Sequence, residues 1–294
     1  MEQKEYKTIG LASWVKVGEG GNGITYENPA NPDVLLKVNQ GSLNNLESIR
    51  QEFNLSREVA ALGLPTPAMH EIVKVGEDYG MLVERIKDKK SLFRICHEQP
   101  ERIEEIAKLF CRLFKQLTST PCNTAFFPSR KQTALKGLET AAFVRRKDKA
   151  LLRDFIGSIP ETTGCVHGDF QPGNVILSGE KPYWIDLGRF AWGHPMFDIG
   201  HLYLSCVVYS KIKQAREIFH LEREQLLHFW DCFAREYTGQ ENHAEFDRDA
   251  SRFAAVDMVV RSFYQKPSFV QNIFFYLVQR PLLKNLRLSN PGLS

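Results

Sequence analysis

Three polar side chains that can handle protons and metal ions, Asp169, Asn174 and Asp186, lie close together in the sequence. Residues 167–174 read His-Gly-Asp-Phe-Gln-Pro-Gly-Asn, and residues 185–188 read Ile-Asp-Leu-Gly. Phosphoryl transfer from a nucleotide requires a carboxylate that orients the accepting hydroxyl, and a carboxylate with an amide oxygen that hold Mg²⁺. These residue types at this spacing therefore indicate the chemistry of a kinase.

A strand and a β-hairpin are expected to position these groups. Residues 164–166 favour a strand that ends at the polar run, and residues 175–177 are apolar and β-branched. Turn-forming residues at 178–182 then lead into a returning strand at 183–185. The hairpin therefore brackets the three groups. The alternative, a polar loop whose Asp and Asn only cap turns, would make the presence of all three a coincidence.

A glycine-rich segment near the N-terminus has Gly18, Gly20 and Gly23 in the pattern G-x-G-x-x-G. This pattern occurs both in a Rossmann turn that leads into a helix and in a kinase hairpin that covers phosphates. Residues 24–26 are β-branched or aromatic, and Asn and Pro at 28–32 break the chain, so no helix can begin at the last glycine. The segment therefore favours the kinase hairpin.

Lys37 lies in an otherwise apolar strand, where burial of an ammonium group is costly without a partner. The apolar residues of segment 43–62 have helical spacing, and this predicted helix carries Glu52 beside its apolar stripe. Glu47 and Glu58 lie on the same helix, and the spacing alone does not choose among the three. A surface lysine that needs no partner is the simpler alternative.

These segments resemble the aminoglycoside phosphotransferase and choline kinase-like family. The resemblance rests on the runs 167–174 and 185–186 and on Gly-His-Pro-Met-Phe-Asp-Ile at 193–199. It also includes the glycine loop, the strand with Lys37 and a hinge-like strand at 81–85. It covers the chain from about residue 10 to about residue 205, and the run at 167–174 is its most specific part.

The resemblance implies an α+β, two-lobed protein kinase-like fold. A small N-lobe with an antiparallel sheet, residues 1–86, would bind the nucleotide. A larger, mostly helical C-lobe, residues 87–294, would carry the catalytic loop, the metal ligands and the acceptor site. Apolar spacing over 103–117 predicts a helix that packs under this loop. Later helical segments, such as 222–237 and 246–264, would line the acceptor site.

The family also implies roles for the polar residues. Asp169 would be the catalytic base, or at least the group that orients the acceptor hydroxyl. Asn174 and Asp186 would bind Mg²⁺, and Lys37 would contact the α- and β-phosphates while Glu52 holds it in place.

Other residues would contact the nucleotide in different ways. Gly18, Gly20 and Gly23 would cover its phosphates, and the backbone from Glu84 to Ile86 would meet its base. The sequence does not decide whether the nucleotide is ATP or GTP.

Two features argue against a protein kinase. Gln171 stands where protein kinases have a lysine that stabilises the transferred phosphoryl group, and the run at 193–195 follows too soon for a long activation loop. Leu187 replaces the Phe of the protein kinase Asp-Phe-Gly motif, and Asp198 would brace the catalytic loop. A nucleotide-binding regulatory protein without turnover is a second alternative, disfavoured because every catalytic position is filled.

The charge distribution gives a clue to the acceptor. Nine acidic residues and four arginines lie between residues 222 and 257, and no acidic residue lies between 258 and 294. The acidic run would attract a cationic acceptor, such as an aminoglycoside or an amino alcohol, unless it is only a solvated surface. The predicted reaction is therefore Mg²⁺-dependent transfer of the γ-phosphate of ATP or GTP to a hydroxyl of a small molecule.

The composition is that of an ordinary globular protein. The chain has 294 residues, 25% charged residues and a net charge of +3, which does not require a nucleic-acid partner. Its 6 cysteines form no C-x-x-C pair, which favours a reducing compartment. No signal-peptide core and no apolar run of about 18 residues is present. We therefore expect a cytoplasmic protein without a membrane partner, and the sequence predicts no oligomeric state.

Overall fold

The chain forms two units in a computed structural model. The first unit comprises residues 1–90 and 175–188, and the second comprises residues 91–174 and 189–294. The boundary predicted from the sequence lies after residue 86, and the prediction did not include residues 175–188 in the first unit. The described residues are 6–20, 23–39, 45–265 and 267–289.

A five-stranded antiparallel sheet forms most of the first unit, with the strand order β1-β2-β3-β5-β4. Its strands are β1 (Val15–Gly20), β2 (Gly23–Asn28), β3 (Asn31–Asn39), β4 (Met69–Val75) and β5 (Asp78–Glu84). Helix α1 (Leu46–Ala61) packs Ile49 and Phe53 against Met81 of β5. Because Met81 pairs with Lys37 and cross-strand partners share a face, Lys37 faces α1.

A hairpin from later in the chain completes the first unit. It consists of β8 (Val175–Ser178) and β9 (Lys181–Trp184), and β8 also pairs with the short β6 (Lys89–Ser91). Ile176 and Tyr183 of this hairpin pack on Ile86, and the backbone N–H of Trp184 donates to the carbonyl of Pro65 at 2.8 Å. These contacts explain why the hairpin belongs with residues that precede it by almost a hundred positions.

The second unit is mostly helical. Its helices are α2 (Leu92–Glu98), α3 (Ile103–Ser119), α4 (Arg130–Thr140), α5 (Arg146–Ser158), α6 (Met196–Tyr203), α7 (Lys213–Phe219), α8 (Arg223–Thr238), α9 (Ala244–Gln265) and α10 (Phe269–Ser289). Two short strands, β7 (Cys165–Val166) and β10 (Ala191–Trp192), pair antiparallel. Among the described residues, no helix is long and apolar enough to cross a membrane.

Helices α6 and α9 lie very close together at the centre of the second unit. An ideal Cβ atom on Gly200 would lie 2.5 Å from the backbone carbonyl carbon of Phe253, so only glycine permits this approach. The next residue of α6, His201, is thereby brought against α9. This contact positions a buried polar group beside residues 167–174, the predicted catalytic loop.

The catalytic loop rests on an aromatic cluster, as the apolar spacing of the predicted helix at 103–117 indicates. The Phe170 ring stacks on Phe110 with ring centroids 4.3 Å apart, and it contacts Phe114 of the same helix at 4.6 Å. All three rings are fully buried. This packing fixes the residue that follows Asp169 and so limits the movement of the loop.

Candidate active site

Lys37 and Glu52 form an ion pair within the first unit. The Nζ atom of Lys37 lies 2.6 Å from Oε1 of Glu52, and the Asn39 side chain donates to Oε2 at 3.2 Å. The side chains of Lys37 and Glu52 are 28% and 29% exposed, so the pair remains reachable from solvent. Glu52, rather than Glu47 or Glu58, is therefore the glutamate that holds Lys37.

The three glycines lie on a β-hairpin and not at the start of a helix. Gly18 and Gly20 belong to β1, and Gly20 pairs with Gly23 at the start of β2. A Cβ atom on Gly23 would overlap the carbonyl oxygen of Val38, so this position requires glycine. The loop tip, residues 21–22, lies outside the described residues.

A cavity of about 640 Å³ opens beside this hairpin within the first unit. Its walls include Val17, Gly18, Leu35 and Ile86. Glu84, the other residue predicted to contact the nucleotide base, uses its side chain to accept the N–H of Ala68 at 2.9 Å. The cavity therefore combines apolar side chains with the charged side chains of residues 85 and 87–89, beside Gly18 of the hairpin.

The catalytic loop begins where β7 ends. Gly168 has φ +82°, and a Cβ atom at this position would overlap the carbonyl oxygen of Arg189. The buried carboxylate of Asp198 accepts the backbone N–H of His167 at 2.7 Å and that of Gly168 at 2.9 Å. Hydrogen bonds to a charged group each stabilise by about 1.5–3 kcal/mol, so Asp198 braces the loop firmly.

Opposing effects act on the pKa of Asp198. Burial raises it to about 6, although the two backbone N–H groups and the charges of Arg130 and His201 act in the opposite direction. The two N–H donors need an acceptor at each carboxylate oxygen. The ionised carboxylate of Asp198 therefore accepts both backbone N–H groups better than the protonated form does.

Asp169 presents its carboxylate between two basic side chains of the second unit. Nε2 of His201 lies 3.0 Å from Oδ1 of Asp169, and Nη1 of Arg189 lies 3.7 Å from the same oxygen. The Asn174 amide nitrogen donates to the backbone carbonyl of Asp169 at 2.7 Å, which leaves the amide oxygen of Asn174 for another partner. The structure thus brings Asp169 and Asn174 together.

The surroundings of Asp169 strongly favour its ionised form. Burial by itself raises the pKa of Asp169, but the hydrogen bond and charge of His201, with the charges of Arg189 and Arg261, lower it well below its ordinary value. A carboxylate with so low a pKa is a weak base. It can orient a hydroxyl by accepting its hydrogen bond, without removing the proton before the phosphoryl group is transferred.

Asp186 follows the β8–β9 hairpin in the first unit and is exposed. Its φ is +58°, a left-handed conformation that is uncommon for residues other than glycine. Backbone strain of this kind often occurs at ligand sites.

A buried network that was not predicted from the sequence lies behind Asp169. Nδ1 of His201 lies 3.1 Å from Oδ2 of Asp257, and the Nε of Arg261 lies 3.0 Å from that oxygen. Arg130 contacts Oδ1 of Asp257 at 3.3 Å and donates to the carbonyl of Gly168 at 2.9 Å. One signal was available: Asp257 and Arg261 are charged residues, four positions apart, in an otherwise apolar part of α9.

Much of the acidic run at 222–257 is neutralised locally. Asp257 is buried in the network just described, and Asp231 contacts Arg235 at 3.1 Å and His243 at 3.0 Å. Asp249 forms an ion pair with Arg252 at 2.7 Å. The run is therefore less attractive to a cationic acceptor than its composition indicates.

Comparisons with known proteins agree on the fold. Among solved structures, the chain is similar to a choline/ethanolamine kinase family protein from Mesorhizobium loti, with 13% identity, 95% of this chain and 92% of that chain covered, and a TM-score of 0.59. It is also similar to a thermostable mutant of aminoglycoside phosphotransferase APH(4)-Ia in a ternary complex with AMP-PNP and hygromycin B, with 13% identity, 96% and 95% covered, and a TM-score of 0.62. The gentamicin complex of APH(2")-IIa is a third such structure, with 15% identity, 96% and 93% covered, and a TM-score of 0.57.

Sequence comparison gives the family. A search of curated protein sequences finds no significant match. The sequence model of the phosphotransferase enzyme family, however, matches residues 24–227, which is more than half of the chain. The matched stretch includes the Lys37–Glu52 pair and the catalytic loop, and the fold is the protein kinase-like fold of the structures above. The chain therefore belongs to the phosphotransferase enzyme family.

Proposed function

We propose that this small-molecule kinase transfers the γ-phosphate of ATP or GTP to a hydroxyl group of its acceptor, with Asp169 orienting that hydroxyl. The observation that carries the proposal is the held carboxylate of Asp169, 3.0 Å from His201, on a loop that Asp198 braces through two backbone N–H groups. Transfer of this kind depends on positioning and charge neutralisation more than on covalent chemistry.

The first unit would bind the nucleotide. Lys37, fixed by Glu52, would contact the α- and β-phosphates, and Gly18, Gly20 and Gly23 would cover the phosphates. The backbone between Glu84 and Ile86 would meet the base beside the cavity described above. Related solved structures contain AMP-PNP in one case and GDP in another, so both adenine and guanine nucleotides belong in the test.

Asn174 and Asp186 would hold Mg²⁺. A carboxylate and an amide oxygen are the hard oxygen ligands that this ion prefers, and the hydrogen bond from the Asn174 nitrogen leaves its oxygen available. The left-handed backbone of Asp186 is the strained conformation expected of a residue kept for a ligand. Bound Mg²⁺ would neutralise charge on the phosphates.

The second unit would carry the acceptor site. Hygromycin B and gentamicin are bound by two of the similar proteins, and a third is of the choline/ethanolamine kinase family. Aminoglycosides and amino alcohols are therefore the first acceptors to test. Because much of the acidic run is already paired, neutral hydroxylated metabolites belong in the same panel.

The decisive experiment measures nucleoside diphosphate release with Mg²⁺ and ATP or GTP across this panel. We expect one acceptor class to stimulate release. The Asp169→Asn variant should bind nucleotide as before but lose about 10² to 10⁴ in kcat. Nucleotide binding without stimulation by any acceptor would favour a regulatory protein, and labelled phosphate in protein would favour a protein kinase.

A further inference from the structure

His201 lies between two carboxylates in the core of the second unit. Its side chain is 1% exposed, and its Nε2 and Nδ1 atoms lie 3.0 Å from Asp169 Oδ1 and 3.1 Å from Asp257 Oδ2. An ionised carboxylate oxygen only accepts hydrogen bonds. Both ring nitrogens therefore have a carboxylate oxygen within ion-pair distance, an arrangement that pairs a positively charged imidazolium on both sides.

Charged groups from several elements face this imidazolium. Arg261 of α9 lies alongside it, with Nη2 3.1 Å from Nε2, and its Nε contact with Asp257 holds it there. The Arg261 guanidinium can only donate hydrogen bonds, so its position beside Nε2 opposes protonation of the His201 ring. Asp198 on the same helix and Arg130 behind Asp257 complete the charged surroundings.

The balance of these groups favours the charged ring. Burial by itself lowers the pKa of His201, and Arg261 also lowers it, but Asp257 and Asp169 raise it overall. The ring of Tyr209 lies 5.7 Å from the Arg261 guanidinium, so Tyr209 is a further titratable neighbour of the network.

We infer that His201 is a positioning residue that holds Oδ1 of Asp169 and so presents Oδ2 to the acceptor hydroxyl. This inference rests on the proposed function of Asp169. The nearest basic atoms of both His201 and Arg189 lie at Oδ1 of this carboxylate. His201 acts through Asp169 and does not itself touch the acceptor.

The carboxylate that contacts Nδ1 of His201 is also connected to the loop at 167–174 through a second contact. Asp257, which fixes the ring through Nδ1, also contacts Arg130, and Arg130 donates to the carbonyl of Gly168 at 2.9 Å. The side chain of Asp169 and the backbone just before it are therefore tied to one buried carboxylate. A misplacement of about 1 Å at a reacting group can cost about 100-fold in rate.

Two substitutions separate the two hydrogen bonds of His201. In His201→Gln the amide nitrogen can occupy the place of Nε2 and still donate to Asp169, whereas in His201→Asn it can occupy only the place of Nδ1. We expect His201→Asn to lose about 100-fold in kcat. We expect His201→Gln to retain at least ten times more activity, with the nucleotide KM unchanged in both variants.

The chain offers a matched control. His243 also bridges two carboxylates, with Nε2 3.0 Å from Asp231 and Nδ1 3.0 Å from Asp247, and it does not contact Asp169. His243→Gln and His243→Asn should leave kcat unchanged. Equal loss in the two His201 variants, or a similar loss in the His243 variants, would overturn the inference.

A measurement without turnover keeps the inference testable if no acceptor is found or if a His201 variant does not fold. Ring ¹⁵N signals of the intact protein should show His201 as an imidazolium above pH 6.5, the ordinary pKa of histidine. Asp169→Asn should lower its proton affinity by about tenfold or more. An ordinary His201 titration, unaffected by Asp169→Asn, would refute the contact whether or not the protein is a kinase.

Discussion

Gly168 packs against the carbonyl oxygen of Arg189 so closely that a Cβ atom at Gly168 would overlap that oxygen. Arg189 also approaches Asp169 at 3.7 Å, so the same contact fixes the loop and one of its cations. The loop geometry therefore depends on the absence of a side chain at this position. The left-handed φ of +82° adds a second reason for glycine.

Gly168→Ala should destabilise the protein and abolish activity, because both the overlap with Arg189 and the left-handed backbone oppose a side chain. We expect a loss of about 2 kcal/mol or more in the free energy of unfolding. Gly157→Ala is the control, since a Cβ atom there meets nothing within 4 Å and lies in a helix. Thermal unfolding should separate the two variants, and equal stability would contradict the crowding.

Glu52→Gln should raise the KM for the nucleotide about tenfold, because Lys37 loses a charge-assisted contact of 2.6 Å that is partly open to solvent. The acceptor KM should not change. Glu47→Gln on the same helix is the control, since Glu47 is exposed. Steady-state kinetics with varied nucleotide would test this, and a more damaging Glu47→Gln would reassign the partner of Lys37.

Asp186→Asn should weaken the use of Mg²⁺ while keeping the fold. Asparagine tolerates left-handed backbone, so the φ of +58° can persist after the charge is lost. We expect the Mg²⁺ concentration for half-maximal activity to rise about tenfold or more, without a change in melting temperature. Kinetic titration with Mg²⁺ would measure this, and an unchanged Mg²⁺ requirement would remove Asp186 from the metal site.

His201 and Asp257 of the buried network should each make the free energy of unfolding depend on pH, and the two dependences should have opposite directions. His201 has a raised pKa in the folded protein, so its contribution is complete below about pH 6.5 and is lost as pH rises through the folded value. Asp257 has a lowered pKa, so its contribution is complete above about pH 3.9 and is lost as pH falls.

Urea unfolding at a series of pH values would test this dependence. The stability of the wild type relative to His201→Gln should be greatest at or below about pH 6.5 and should decrease at higher pH. A relative stability that instead increases with pH would mean that His201 is neutral in the folded protein.

Local patterns predicted the fold well. The glycine hairpin and the helix at 103–117 follow from spacing and turn chemistry, whereas the α+β, two-lobed architecture was implied by the family resemblance. Glu52 could not be separated from Glu47 and Glu58 because the helical stripe gives a face, whereas the pairing of Lys37 with Met81 decides which part of that face meets the lysine.

Long-range contacts were not predictable from local patterns. His201 and Asp257 are far apart in sequence, and only the close packing at Gly200 brings them together. Helix α10 is not among the predicted helices, and it contains Pro281, a residue that disfavours a helix interior. Burial of Leu282, Leu283 and Leu286 outweighs that local preference.

The β8–β9 hairpin means that the first 90 residues alone do not contain the whole first unit. Ile86 packs against Ile176 and Tyr183. The carbonyl of Pro65 accepts a hydrogen bond from the backbone N–H of Trp184. During synthesis, these contacts therefore cannot form until the ribosome has produced residue 184. A gene fragment that ends at residue 90 would encode the whole glycine hairpin. Its product would lack residues 175–188, which complete the core of the first unit.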